Sequence, residues 1–382
     1  MIVHKRLSLR IQDLRTPAAL VDLGRLEANA ERMAQKASRL GVALRPHVKT
    51  HKCVEIGRIQ SGGTPGPITV STLAEARGFA EAGFGDITYA VPLPLPYLPD
   101  AAELGRRIRL NLLLDDEATL APLEAFAKAQ RTRFRVFLKV DCGYHRAGVD
   151  PRSDGALTLA RRLQASPGVE FLGILTHAGQ SYACRSRQEA KAVAEQERSV
   201  MDQFARRLRQ SGIPVGSVSV GSTPTCCAAE GWAGVTEIRP GNYVFFDAFQ
   251  AAIGSCEAED ALAFSVLATV IGHYPGRNEL LLNAGALALS KDPGPVHVDP
   301  HCGFGRLYTA EGLPLRHLRL SSLSQEHGLV QGLAVADYAR LPVGSCLRVV
   351  PNHSCLAAAC FDRYVVLKEG AVSEEWRRIG GW

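Results

Sequence analysis

The chain has 382 residues, 46% of them hydrophobic and 21% charged, which is the composition of an ordinary globular protein with room for one large core and a smaller one. Its net charge of +6 is spread along the sequence without a basic block or aromatic-interleaved stripe, and this argues against a nucleic-acid partner. No apolar run approaches a membrane span and the opening Met-Ile-Val-His-Lys-Arg lacks the core of a secretory signal, so a cytoplasmic protein without a membrane partner is expected.

In chain order, Thr16-Pro17 breaks the lead and a strand is expected over 18–22, with a helix over about 26–40. Further strand-like runs follow at 44–50, 68–72, 86–91, 108–114, 134–140, 169–176 and 217–221, each but the last followed by helical periodicity. The clearest helix is 188–210, where Ala190, Ala194, Val200, Met201, Phe204 and Leu208 fall roughly on one stripe. Eight strands alternating with helices predict a (β/α)8 barrel, although periodicity alone also admits an open doubly wound sheet. From about residue 255 the runs at 266–274, 279–283, 315–320, 346–350 and 364–367 are short, β-type and set between Gly and Pro turns, which predicts a second, β-rich domain. The expected division is a barrel over 16–250 and a β-rich domain built from 1–15 and 251–382, with 3–9 able to supply a strand. The ten cysteines include no C-x-x-C pair and read as reduced thiols, most of them small buried hydrophobes.

Polar clusters fall at the carboxyl ends of the expected barrel strands, where barrels carry their chemistry. The most concentrated is Arg45-Pro46-His47-Val48-Lys49-Thr50-His51-Lys52. Read as a strand, it puts Arg45, His47, Lys49 and His51 on one face, an arrangement suited to an anion or a phosphate-bearing aldehyde. Lys49 among like charges becomes a usable amine nucleophile for a Schiff base; a basic strand end in solvent would give the same pattern. Asp141–Arg146, His177–Tyr182 and Gly221-Ser222-Thr223 end later strands, and Arg239-Pro-Gly241-Asn242-Tyr243 lies just beyond. The glycine, serine, threonine and asparagine of these loops suit a phosphate. In the β-rich part, His353 and Cys355 stand two apart after a strand, a spacing that can grip a soft or borderline cation such as Zn²⁺. Gln325-Glu-His327-Gly is either a further part of a cleft or a capped turn.

Taken together, the Lys49 octet, the 141–146 turn, Thr176-His177-Ala-Gly, Gly-Ser-Thr at 221–223, Arg-Pro-Gly-Asn-Tyr at 239–243 and the closing β domain resemble the fold-type III pyridoxal-phosphate enzymes. Within them the chain is similar to the branch of eukaryotic-type D-serine dehydratases and D-threonine aldolases. Pro240–Asp247, Gly254-Ser-Cys256, Ile271–Pro275, Ser324–Gly328 and the His-x-Cys pair look closer to the dehydratases, since the aldolases tend to carry His-x-Asp there. The resemblance implies an alanine racemase-like barrel and β domain, with Lys49 holding pyridoxal 5'-phosphate. It implies Ser222, Thr223, Gly241 and Asn242 around the phosphate, with Tyr243 nearby, and His177 beside the pyridine ring. It further implies contacts from Tyr182 and Arg146, and His353 and Cys355 as ligands of Zn²⁺ or Mn²⁺. The implied activity is elimination of water and ammonia from a β-hydroxy-D-amino acid by a homodimer, D-serine giving pyruvate, with a 3-hydroxyaspartate as a related substrate. D-threonine aldolase is the alternative enzyme, and a non-catalytic pyridoxal-phosphate carrier the alternative of another class. An arginine pairs with the pyridine nitrogen in racemases of this fold, and Arg239 is the residue to examine for that role.

Overall fold

The computed structural model describes residues 10–256 and 259–382. Its strands are β1 (Ala18–Asp22), β2 (Ala43–Leu44), β3 (Ile68–Val70), β4 (Asp86–Pro92), β5 (Arg109–Leu114), β6 (Phe134–Lys139), β7 (Val169–Leu175), β8 (Ser217–Val220) and β9 (Glu237–Ile238), followed by β10 (Phe264–Tyr274), β11 (Glu279–Leu282), β12 (Gly305–Thr309), β13 (Arg319–Leu323), β14 (Gly328–Gln331), β15 (Cys346–Pro351), β16 (Arg363–Lys368) and β17 (Ala371–Arg377). The chain falls into two compact units, one of residues 32–241 with 379–382 and one of 1–31 with 242–378.

The first unit is the barrel. Its eight parallel strands run in the order β2-β9-β8-β7-β6-β5-β4-β3, and a parallel bridge between His47 and Thr69 joins the two ends of that order. Two differences from the sequence reading follow. The strand over 18–22 forms but belongs to the other sheet, and the eighth barrel strand is the two-residue β9. The expected strand over 44–50 stops at Leu44, and Val48–Thr50 is a 3₁₀ turn. The shared face of Arg45, His47, Lys49 and His51 is therefore not formed. Arg45 turns inward to Glu237 (2.9 Å) and Asp86 (2.6 Å), while His51 donates from Nε2 to Gln60 and accepts the Cys53 amide at Nδ1.

Side chains alternate along each strand, so the inward face of β6 reads Arg135, Phe137, Lys139. Arg135 donates to Asn111 (2.9 Å) and Glu170 (2.6 Å) in a polar layer that also holds Asp86 and Thr88. Phe137 packs on Leu113 and Leu175 in an apolar layer above it. Lys139 projects one step nearer the carboxyl end, where chemistry sits in such barrels. The helix Arg187–Gln210 buries Ala190, Ala194, Met201, Phe204 and Leu208 against the barrel side, as its spacing predicts, but Val200 is only half-buried and Glu197 lies on the same stripe.

The second unit carries a mixed sheet ordered β13-β14-β11-β10-β1-β16-β17, with β15 pairing β10 and β12. β1 runs antiparallel to β10 and parallel to β16. Leu20, Leu267, Val365, Leu367 and Val372 fill one side, and Phe245 stacks on Phe264 at 5.1 Å beside Tyr364. Residues 3–9, a candidate strand in the sequence, lie outside the described residues. Gln325–His327 form the exposed turn of the β13–β14 hairpin, with the Ser324 amide donating to the His327 carbonyl. Among the described residues no helix is long and apolar enough to cross a membrane.

Candidate active site

Two clusters emerge, one in each unit. At the carboxyl end of the barrel the loops after β2, β6, β7, β8 and β9 bring together Lys49, Lys139, Arg146, His177 and Arg239, which lie within electrostatic reach of one another. Lys49 sits in the 3₁₀ turn after His47, so its position is fixed by a tight turn rather than by strand alternation. Burial above all, then the positive charges of Lys49 and Arg239, pulls the His47 pKa well below its ordinary value. His177 is lowered in the same way by burial and then by Lys49, Lys139 and Arg146. Both imidazoles are therefore neutral near pH 7. His177 Nδ1 lies 3.1 Å from the Gly221 carbonyl, which can only accept; the proton is on Nδ1 and Nε2 presents a lone pair. Tyr144 meets this ring edge-on at 6.2 Å, with the Arg146 guanidinium over the tyrosine, and Tyr182 lies at 6.5 Å.

The Gly221-Ser222-Thr223 turn is held from below. Glu197, fully buried, accepts the Gly221 amide at 2.8 Å, and Gly221 itself adopts a φ of 122°. Ser222 caps the short helix Thr223–Ala228 in a capping box with Thr225 and lies 2.8 Å from Ser181. The Thr223 hydroxyl is buried and has no hydrogen-bond partner among the described residues. Gly241 backs onto His47, whose carbonyl a Cβ would crowd. Orphaned hydroxyl, backbone turn and surrounding cations suit a phosphate. Arg239 is fully buried, with its donors aimed at the Ser219 hydroxyl and the Thr176 and Val220 carbonyls.

The second cluster surrounds His353 and Cys355. His353 Nδ1 meets Asp292 Oδ2 at 3.1 Å, leaving Nε2 for a further partner, the carboxylate–histidine arrangement common behind metal ions. Burial opposes a charge on His353, but the Cys355 sulfur and Asp292 outweigh it and raise its pKa to about 11. The Asn242 side chain is engaged within this cluster. Its Nδ2 donates to Asp247 (2.7 Å), Ser354 (2.9 Å) and the Cys355 sulfur (3.5 Å). Asp247 also accepts the Ser354 amide, which pins the turn bearing the pair. Tyr243 is fully buried in the turn Asn242–Val244. Among the described residues no three His, Cys, Asp or Glu side chains converge, so two is the number of such ligands this pair can offer. A histidine nitrogen and a thiolate with open positions fit a zinc-like ion in a catalytic rather than a structural setting.

Sequence reasoning missed Lys139, Glu197, Asp247 and Asp292. A glutamate on an apolar helical stripe and a lysine closing an apolar strand were available signals. Asp292 lies 61 positions from His353 and left none.

Comparison with known proteins places the chain in a family. Residues 21–248 match the alanine racemase N-terminal domain and 263–367 the putative serine dehydratase domain. The D-threo-3-hydroxyaspartate dehydratase of Delftia sp. (strain HT23) is 41% identical, covering 97% of this chain and 98% of that one. The D-serine dehydratase of Dictyostelium discoideum is 38% identical over 94% of each chain, and the D-threonine aldolase of Arthrobacter sp is 31% identical over 94% of this chain and 91% of that one. The solved Delftia enzyme superposes with a TM-score of 0.93 at 40% identity, over 98% of this chain and 100% of the other. Solved D-threo-3-hydroxyaspartate dehydratase structures also include a cysteine-to-alanine mutant in the metal-free form and a histidine-to-alanine mutant, the two altered positions standing two apart. The chain belongs to the fold-type III pyridoxal-phosphate family, in the branch of D-serine and D-threo-3-hydroxyaspartate dehydratases that pairs an alanine racemase-type barrel with a serine dehydratase domain.

Proposed function

We propose that this chain is a pyridoxal-phosphate- and metal-dependent lyase that eliminates water from a β-hydroxy-D-amino acid and releases ammonia. D-serine would give pyruvate, and D-threo-3-hydroxyaspartate oxaloacetate. The observation that carries the reading is the His353/Cys355 pair with Asp292 behind the imidazole, in a chain similar over its full length to dehydratases. Histidine and cysteine mutants at the same spacing were made in a D-threo-3-hydroxyaspartate dehydratase, one of them solved metal-free, which supports these two residues as ligands.

When bound, the cofactor supplies an electron sink for the substrate's Cα, and the metal, Zn²⁺ or Mn²⁺, a Lewis acid for a poor leaving group. The protein's residues do the rest. Lys49 would hold the cofactor through its Nζ, and the same nitrogen would be the base for the Cα proton. Ser222, Thr223, Gly241 and Asn242, with Tyr243 nearby, would bind the phosphate; the Thr223 hydroxyl has no other partner among the described residues, and Glu197 keeps the turn at 221–223 in place. His177 and Tyr182 border the ring. His177 is a neutral acceptor that does not add to the positive charge around it. Arg146 draws carboxylate into the barrel mouth, while Asp292 and Asn242 orient the nitrogen and sulfur of the ligand pair. The departing hydroxyl leaves as water with one proton, and hydrolysis of the remaining unsaturated amine yields the oxoacid and ammonia.

The reading includes a homodimer in the cytoplasm, checked by light scattering and by fractionation. Its decisive test is product analysis with D-serine, D-threo-3-hydroxyaspartate and D-threonine, before and after chelation. Pyruvate from D-serine, lost on chelation, is the expected result. Glycine and acetaldehyde as the main products of D-threonine would instead make the chain an aldolase. Lys49→Ala should lose the visible absorption of the lysine-bound cofactor together with all turnover; retention of that absorption would rule out Lys49 as the attachment point.

A further inference from the structure

The turn that carries Lys49 is closed by Lys52. The Lys52 backbone is left-handed, with a φ of 50°, a conformation that a residue other than glycine adopts at a cost and keeps only where its surroundings hold it. The Lys52 amide donates to the Val48 carbonyl at 2.7 Å, the atom that also accepts the His51 amide, and this ties off the loop with Lys49 inside it. The Lys52 ammonium reaches Glu75 Oε1 at 2.9 Å, and the Lys52 carbonyl accepts the Ile379 amide at 2.7 Å.

Both outer bonds lead to one rigid element. Glu75 is fully buried in the first turn of the helix Leu73–Glu81, where Thr72 caps its amide and its Oε2 accepts the Ser71 amide at 3.0 Å. The carboxylate is thus fixed from behind and cannot follow Lys52 if that residue moves. The Ser71 hydroxyl in turn lies 3.4 Å from Nε2 of His47, the residue that opens the turn. Ile379 belongs to the barrel unit although it follows β17. Its side chain lies so close over Gly78 of the same helix that an added Cβ would come within 2.8 Å of its Cδ1. The helix therefore anchors the Lys52 ammonium through Glu75 and the Lys52 carbonyl through Ile379. A displacement of about 1 Å at a reacting group can cost on the order of a hundredfold in rate, so the turn that sets the Lys49 nitrogen has reason to be held at both ends.

We infer that Lys52, clamped by Glu75 and by the Ile379 amide, is a positioning residue that aims the Lys49 nitrogen at cofactor and substrate. The inference rests on Lys49 being the attachment point and adds to that reading the groups that hold it in place.

The experiment compares wild type with Lys52→Met/Glu75→Gln, which removes both charges and leaves no buried carboxylate unpaired, with Lys52→Arg, which keeps the ion pair, and with Ile379→Pro, which lacks the donating N–H. Each is loaded with pyridoxal phosphate. The readouts are kcat and KM for D-serine, the rate at which hydroxylamine strips the visible absorption of the lysine-bound cofactor, and the melting temperature of the cofactor-free protein. The double variant should lose roughly ten- to a hundredfold in kcat, with KM changed less than about threefold, and should yield its cofactor to hydroxylamine about ten times faster. Lys52→Arg should stay close to wild type in both, and Ile379→Pro should move both in the direction of the double variant. Wild-type kcat and hydroxylamine rate in the double variant overturn the inference; so does a loss of kcat that only tracks the melting temperature and is matched by Lys52→Arg. Should the double variant fail to fold, Gly78→Ala carries the test: it crowds Ile379 and should lower kcat, and adding Ile379→Val, which gives up Cδ1, should recover it, whereas no recovery counts against the clamp. Visible absorption retained in Lys49→Ala defeats the attachment reading and the inference with it; absorption lost there, with the Lys52 variants unchanged, defeats the inference alone.

Discussion

Replacing Lys139 by methionine has a consequence for stability that can be worked out in advance. The native pKa of about 7 lies below the ordinary lysine value of 10.5, because burial disfavours the ammonium. A group whose native pKa is depressed in this sense binds fewer protons folded than unfolded between those two pH values, so stability rises with pH across that window. The penalty is fully present below pH 7 and fades as pH climbs toward 10.5. At about 1.36 kcal/mol per pH unit, the full penalty is on the order of 5 kcal/mol, and roughly 3 kcal/mol of it is relieved between pH 6 and 9. Lys139→Met carries no such penalty. Equilibrium urea unfolding of cofactor-free wild type and variant, followed at pH 6, 7.5 and 9, should show the variant more stable by the largest margin at pH 6, with the margin shrinking by about 3 kcal/mol at pH 9. A margin that stays constant over this range would mean that Lys139 titrates as an ordinary lysine, and the buried-cation reasoning would fall with it.

Asp292→Asn should weaken metal binding about ten- to a hundredfold by loosening His353, measured by competition with a chromophoric chelator; unchanged affinity would remove Asp292 from the arrangement. Glu197→Ala should destabilise the fold by roughly 2 kcal/mol, since it leaves the buried Gly221 amide without an acceptor, and should weaken cofactor retention. Glu197→Gln, which keeps an acceptor oxygen, should recover most of both in denaturation and cofactor-release assays. Gly173→Ala should yield no soluble protein: Gly173 has a φ of 143° and an added Cβ would fall on the Ser217 carbonyl of the neighbouring strand, so a soluble, cooperatively melting product would show that β7 and β8 can separate.

Much of the barrel was legible because its strands and helices are long enough for periodicity to appear; the helix Arg187–Gln210 is the clearest case. The first strand was legible as a strand but not as a member of the right sheet, because the run Ala-Ala-Leu-Val-Asp encodes burial and not its partners β10 and β16. β9, two residues long, offers no period at all. The Lys49 octet was singled out for its charge, yet its geometry was misjudged: alternation fails where Pro46 and the turn Val48–Thr50 bend the chain, and Arg45 is drawn off by Glu237 and Asp86. The Gly-Ser-Thr loop and the His-x-Cys pair could be picked out locally, but the six-residue helix that Ser222 caps was too short to show a period. Asp292 and Glu197 could not be assigned, because their partners are distant in sequence and only the fold brings them close.

The position of β1 reaches beyond the site. A segment synthesised near the start of the chain lies in the interior of a sheet whose other strands all come after residue 263, hydrogen-bonded to β10 on one side and β16 on the other. A clone covering only 242–378 would therefore expose two raw strand edges around an open slot and should precipitate. Co-expressing a peptide of residues 10–31 should rescue it in trans, giving a split form of this unit that assembles on mixing.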